Sequence, residues 1–285
     1  VLNKIVDALK TRDLQLPEVH RGGGACIFIA AADCTGHGVP GAMVSVVCSN
    51  ALNRAVKEFG LRDTGKILDK VTDLVLETFS SYNKFSEDRE KSGEQIKDGM
   101  DISLLKIEFP ADFGNAPSAD AVADRGWVNE AEPSRSHRIQ WSGANNPLWY
   151  IKNGNGTAEF IEIKADKQPV GKFDIRKPFT THTIEAPLIP PKRGSSIAQA
   201  GASETPLPLG GVGGGLTFYL FTDGFPDQFG GPKGKKFMYK KFEEILKYIY
   251  KLPMSEQHTF LENAFHDWKG ALEQVDDVTV IGVRL

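Results

Sequence analysis

Cysteine is scarce in this chain: Cys26, Cys34 and Cys48 are the three found in 285 residues, and no two form a C-x-x-C pair. That excludes a disulfide framework and favours a reducing, cytoplasmic setting. Long apolar runs are missing as well. Nothing approaches the roughly 18 consecutive apolar residues of a membrane-spanning helix, and no signal-peptide pattern is present. Neither sign of charge dominates, with 34 Lys and Arg against 37 Asp and Glu and a formal net charge of −3. Such a balance provides no basic field for nucleic acid. The local run Lys233, Lys235, Lys236, Lys240, Lys241 reads as the solvated start of a helix. Walker A, H-E-x-x-H and paired C-x-x-C motifs are absent, as is a nucleophilic cysteine in a phosphate-cradling loop. What remains is ordinary for a soluble globular protein able to bury a full core: 40% hydrophobic and 25% charged residues. Val rather than Met comes first, so the chain is expected to be a piece of something longer, whose other part could tether it to a membrane.

The most informative stretch is IFIAAADCTGHGVPGAMVSVV, from Ile27 to Val47. An apolar run of strand length, Ile27 to Ala32, leads into a Gly-rich turn at Asp33-Cys34-Thr35-Gly36-His37-Gly38. A helix is expected from Pro40 onward, where a missing N–H costs nothing. The segment Gly36-His37-Gly38-Val39-Pro40-Gly41 also spells G-x-G-x-x-G, the dinucleotide fingerprint. That motif needs a second strand ending in an acidic residue about 20 residues later. Two helical patterns follow instead, through Val44, Val47, Leu52, Val56 and Phe59 and then Ile67, Val71, Leu74, Val75 and Phe79. The nucleotide reading is weak.

The same device recurs downstream. FYLFTDGFPDQFGG holds a strand ending at Asp223, DDVTVIGV a strand starting at Asp276 and Asp277, and DGMDISLLKIEF a strand starting at Asp101. If these strands pair antiparallel, the end of one lies beside the start of its neighbour, and the carboxylates collect on one rim. Clustered carboxylates repel one another unless a cation neutralises them. An all-oxygen donor set suits a hard divalent ion, Mg²⁺ or Mn²⁺.

In this order, DCTGHGVPGA, DGMDISLL, SGANNPLWY, KQPVG, FTDGFPDQFGG and DDVTVIGV resemble bacterial SpoIIE/RsbU-like phosphatases. These belong to the metal-dependent (PPM, type 2C) serine/threonine protein phosphatases, and the resemblance runs from Ile27 to Leu285. It implies an α+β fold, a layered α/β/β/α sandwich with a mostly antiparallel central β-sandwich and metals at one edge. It implies an enzyme of bacterial signalling that hydrolyses phosphoserine or phosphothreonine through a metal-bridging water, with two Mn²⁺ or Mg²⁺ ions. Asp33 would bridge both ions, the Cys34 carbonyl would bind one, and Asp223 and Asp276 would complete the set. Asp101 would serve a third, weaker ion, with Asp277, Thr35 and Gly36 supporting the ligands from behind. No organic cofactor is implied. The expected partner is a phosphorylated anti-sigma-factor antagonist or similar regulator.

The chain departs from the family in two places. Relatives carry a Gly-Asp-aromatic-aromatic segment before the first site strand, whereas LPEVHRGGG has no such Asp. That departure motivates the alternative, a degenerate phosphatase fold acting as a sensory or scaffolding module. Eukaryotic relatives place a His two residues after the bridging Asp. Thr35 stands there in this chain, so His37 reads as a residue of its own turn.

Residues 1–19 are expected to end a linker helix from an upstream sensory domain, because Leu2, Ile5, Val6 and Leu9 have helical spacing. A second copy packed on that helix, giving a homodimer, is left open. Residues 20–285 are expected to form the phosphatase domain. Within it, 80–97, 110–136 and 187–215 read as connections, SGANN as a hairpin turn through Asn145 and Asn146, and KQPVG as a tight loop.

Overall fold

The site is carried by a strand pair whose register sets two carboxylates opposite each other. β2 (Cys26–Cys34) is a run of Ile, Phe and Ala, and it pairs antiparallel with β3 (Gly99–Glu108) so that Asp33 stands opposite Asp101. The structure, a computed structural model, describes residues 4–7, 26–36, 38–83, 99–109, 136–154, 157–187 and 215–285. The LPEVHRGGG stretch, His37 and most of the three long connections lie outside them.

Around that pair the chain builds two five-stranded sheets. In the first, β2 and β3 continue into β4 (Ser136–Ala144) and β8 (His182–Pro187), while β7 (Val170–Gly171) pairs with the start of β3. In the second, the order is β1 (Lys4–Asp7), β12 (Thr279–Arg284), β9 (Leu216–Phe221), β5 (Leu148–Gly154) and β6 (Thr157–Ile163). Among the described residues, every pairing of named strands is antiparallel except that of β1 with β12.

Alternation along the strands assigns each face to one of three cores. Between the sheets, Leu105, Ile139 and Trp141 meet Leu148, Phe218, Leu220 and Ile281. The outer face of the first sheet, with Met100, Ile102 and Leu104, is covered by α1 (Gly38–Lys57) and α2 (Thr64–Asn83). The outer face of the second, with Trp149, Tyr219, Phe221 and Val280, is covered by α4 (Tyr239–Ile249) and α5 (Met254–Lys269). This last core is aromatic. The Phe225 and Phe242 rings stack at 4.6 Å and Trp149 meets Phe221 edge-on at 4.7 Å, contacts that contribute about 0.5–1.5 kcal/mol each beyond area burial. The layers are therefore α/β/β/α with mostly antiparallel sheets, as the sequence implied. Among the described residues, no helix is long and apolar enough to cross a membrane.

Two expectations need correction. Residues 4–7 form a strand, not a helix. Lys4 to Asp7 align with Thr279 to Gly282 of β12, so a partner 275 positions away along the chain overrides a spacing that looks helical locally. The lysine run does not simply open a helix either. Lys235 and Lys236 form β11 (Lys235–Lys236), paired with β10 (Phe229–Gly230), and α4 begins only at Tyr239.

Candidate metal centre

β9 ends at Phe221, and two residues later the chain turns at Asp223 into a single helical turn, α3 (Gly224–Asp227). β12 begins three residues after Asp276. Because β9 and β12 pair with Phe221 opposite Val280, the end of one and the approach to the other share a rim. Thr222 fastens them. Its N–H donates to the Thr279 carbonyl at 3.0 Å, and its hydroxyl donates to the Asp277 carbonyl at 3.1 Å while accepting from the Thr279 N–H at 3.0 Å. The fit is close enough that a Cβ on Gly224 would lie 2.3 Å from the Asp277 carbonyl oxygen. Asp277 therefore contributes its backbone to the rim, and its side chain is exposed.

The two sheets bring Asp33, Asp223 and Asp276 together, with one carboxylate oxygen of each within 4.8 Å of the others. Among the described residues, none of the three forms an ion pair. Burial, then Asp276, Asp223, Cys34 and Asp101, push the Asp33 carboxyl up from 3.8 to about 7. Asp223 is also raised, by burial first and then by Asp276, Asp227 and Asp101.

Asp101 stands beside this group rather than in it. Its Oδ1 accepts a hydrogen bond from Asn145 Nδ2 at 2.8 Å. Burial raises its pKa, and that bond acts against the rise. Asn145 reaches it from the turn after β4, with a left-handed φ of 56° that asparagine tolerates well. Thr35 ties the end of β2 to the start of β3, its N–H donating to the Gly99 carbonyl at 3.0 Å and its hydroxyl accepting from the Gly99 N–H at 3.1 Å. Gly36 turns the chain toward α1 at φ 91°. The Cys34 side chain packs on the core beneath α1. Hydrogen bonding to Cys48 lowers its thiol from 9.0 to about 7 against the opposing effect of burial, with Ser45 assisting.

One rim residue had no signal in the sequence. Tyr239 opens α4 beside the cluster because Met238 N–H donates to the Pro226 carbonyl at 2.7 Å, a tertiary contact. Burial, followed by Asp223, Asp227, Asp101 and Glu162, pushes its hydroxyl up to about 12.

The fit of a cation can be judged from one atom. Asp223 Oδ1 is buried and has no hydrogen-bond partner, a costly state for a carboxylate oxygen unless something else coordinates it. A donor set of carboxylate oxygens, one of them orphaned, matches a hard divalent cation.

No protein-family model matches the chain, and no curated protein matches it. Solved structures do. RsbX in complex with magnesium is similar over 91% of this chain and 80% of its own, at 14% identity and a TM-score of 0.44. The catalytic domain of the serine threonine protein phosphatase PstP, in complex with 2 manganese ions, is similar over 93% of each chain, at 16% identity and a TM-score of 0.45. The SiaA-PP2C domain of Pseudomonas aeruginosa is similar over 92% of this chain and 81% of its own, at 22% identity and a TM-score of 0.56. The chain therefore has the fold of a PP2C domain.

Proposed function

We propose that this chain is a Mn²⁺- or Mg²⁺-dependent protein-serine/threonine phosphatase, with Asp33, Asp223 and Asp276 carrying the reaction through the ions they hold. The observation behind this reading is the convergence of three carboxylates within 4.8 Å with one buried oxygen unpartnered, on a PP2C-type fold. When bound, two divalent ions supply an activated water and neutralise charge on a phosphate monoester. Asp33 would bridge them, the Cys34 carbonyl would join one, and Asp223 and Asp276 would close the set. Asp101, drawn aside by Asn145, is assigned a third and weaker ion.

The chain's own groups have further tasks. Asp33 would release its proton on holding a cation, which would couple affinity to pH. Tyr239 remains protonated at neutral pH and offers a hydrogen-bond donor beside the carboxylates, suited to a phosphoryl oxygen. The natural substrate in this reading is a phosphorylated signalling regulator of the anti-sigma-factor-antagonist kind.

Hydrolysis of para-nitrophenyl phosphate and of a phosphoserine peptide, with and without added Mn²⁺, tests the proposal. Turnover is expected with metal only. It should fall at least about a hundredfold in Asp33→Asn, Asp223→Asn and Asp276→Asn, as expected when a group stabilising developing charge is removed. Near-normal turnover in any of these folded variants would remove that residue from the site, and a metal-loaded protein with no turnover would leave only a binding module.

A further inference from the structure

The segment from Gln228 to Lys241 is built more elaborately than a connection between Asp223 and α4 requires. Gln228 is fully buried, and its amide donates to the Phe229 and Glu273 carbonyls, both at 2.9 Å. Gly230 and Gly231 lie flat against Trp268. A Cβ on the first would sit 1.8 Å from the Trp268 carbonyl oxygen, and one on the second 2.6 Å from its ring. Gly231 N–H donates to that carbonyl at 2.7 Å, and Trp268 Nε1 donates to the Gln228 carbonyl at 3.0 Å. The β10–β11 hairpin is thus clamped to α5 from several directions.

This platform presents lysine. Lys233, Lys235, Lys236, Lys240 and Lys241 are all exposed. Two have internal partners. Lys236 pairs with Asp227 at 2.9 Å, and Lys241 stands 3.7 Å over the Trp268 ring. Lys233, Lys235 and Lys240 have no side-chain partner among the described residues. Position gives the patch its meaning. Lys236 pairs with Asp227, whose N–H donates to the Asp223 carbonyl at 2.9 Å, and Met238, two residues before Lys240, donates its N–H to the Pro226 carbonyl at 2.7 Å. Local positive charge therefore borders an acidic rim on a chain whose net charge is −3.

We propose that this clamped, lysine-bearing hairpin and the first turn of α4 dock an acidic stretch of the phosphoprotein substrate, flanking the residue to be dephosphorylated. The inference rests on the phosphatase reading, whose site it extends. A peptide fits better than a nucleic acid or a membrane. The patch spans nine residues beside a site for one phosphate monoester, and like charges on the rim would repel a longer polyanion passing over it.

The test compares wild type with Lys233→Ser/Lys235→Ser/Lys240→Ser, which alters none of the carboxylates, on three substrates. These are para-nitrophenyl phosphate, a phosphoserine peptide with Asp and Glu flanks, and the same peptide with Ser and Gly flanks. Anisotropy of the labelled acidic peptide, carrying Ser in place of phosphoserine, is read in parallel with Mn²⁺ present. The aryl phosphate should be hydrolysed equally by both proteins. For the acidic peptide KM should rise about tenfold in the variant with kcat unchanged, as three exposed charge pairs would give. Peptide binding should weaken by a similar factor, and 0.5 M salt should abolish the difference. Unchanged KM and anisotropy with aryl phosphate turnover intact would overturn the docking proposal alone. So would equal effects on both peptides, or, in a parallel sedimentation assay, wild-type binding to phosphatidylserine vesicles together with no preference for the acidic peptide over the Ser/Gly one. Absent aryl phosphate turnover in wild type would instead overturn the phosphatase reading.

Discussion

At neutral pH a half-buried carboxylate facing two others resists ionisation, and Asp33 is in that position. With its pKa raised from 3.8 to about 7, the folded chain keeps a proton that the unfolded chain has already lost. Between these values the native state binds more protons, so metal-free stability falls as pH rises from about 4 to about 7 and levels off above that. Asp223 and Asp101, also raised, act in the same direction. Metal-free melting temperature should therefore be higher at pH 5 than at pH 7.5. Asp33→Asn should shrink that difference and raise the value at pH 7.5. Thermal scans in chelator check both expectations, and a wild-type melting temperature that climbs from pH 5 to 7.5 would contradict them.

Strand ends rather than whole strands set the geometry of the site, and Thr222 is where this can be tested. Its hydroxyl joins the turn after β9 to the approach of β12 while almost fully buried. Thr222→Val keeps the shape but leaves the Thr279 N–H and the Asp277 carbonyl without that partner, a loss of about 1–3 kcal/mol. Urea unfolding should show it, together with weaker Mn²⁺ binding as Asp223 and Asp276 lose their shared anchor, and Thr222→Ser should restore both. This level of organisation was legible where local chemistry announces it. Apolar runs that stop at Asp33 and Asp223 mark strand ends, and the Asn145-Asn146 turn follows from tolerance of left-handed backbone. Other parts had no local signature. β7, β10 and β11 are two residues each, too short for any alternation to register. Residues 4–7 carry a helix-like spacing whose strand state depends on β12. Asn145 was readable as a turn residue but not as the partner of Asp101, because that bond depends on the pairing of β3 with β4. Tyr239 reaches the rim only through packing of α4.

Across the whole molecule, three stacked cores hold the two sheets so that β2 with β3 and β9 with β12 end at one rim. The three carboxylates do not share a sheet: Asp33 lies in β2 of one, while Asp223 and Asp276 lie on the segments that leave β9 and lead into β12 of the other. The centre therefore exists only when the sandwich is closed, and a cation bound there should stabilise the folded chain, by about 2.7 kcal/mol at a hundred times its dissociation constant. The central claim is that these carboxylates form a site for divalent cations, and calorimetric titration of Mn²⁺ into the metal-free protein tests it most directly. Binding of two ions per chain is expected, the stoichiometry of two-metal hydrolytic centres, with proton release that grows as pH falls from 7.5 to 6. Asp33→Asn should lose most of the affinity and the pH-dependent proton release together. Wild type that takes up no Mn²⁺, or an Asp33→Asn protein that binds it with unchanged affinity and proton release, would contradict the account.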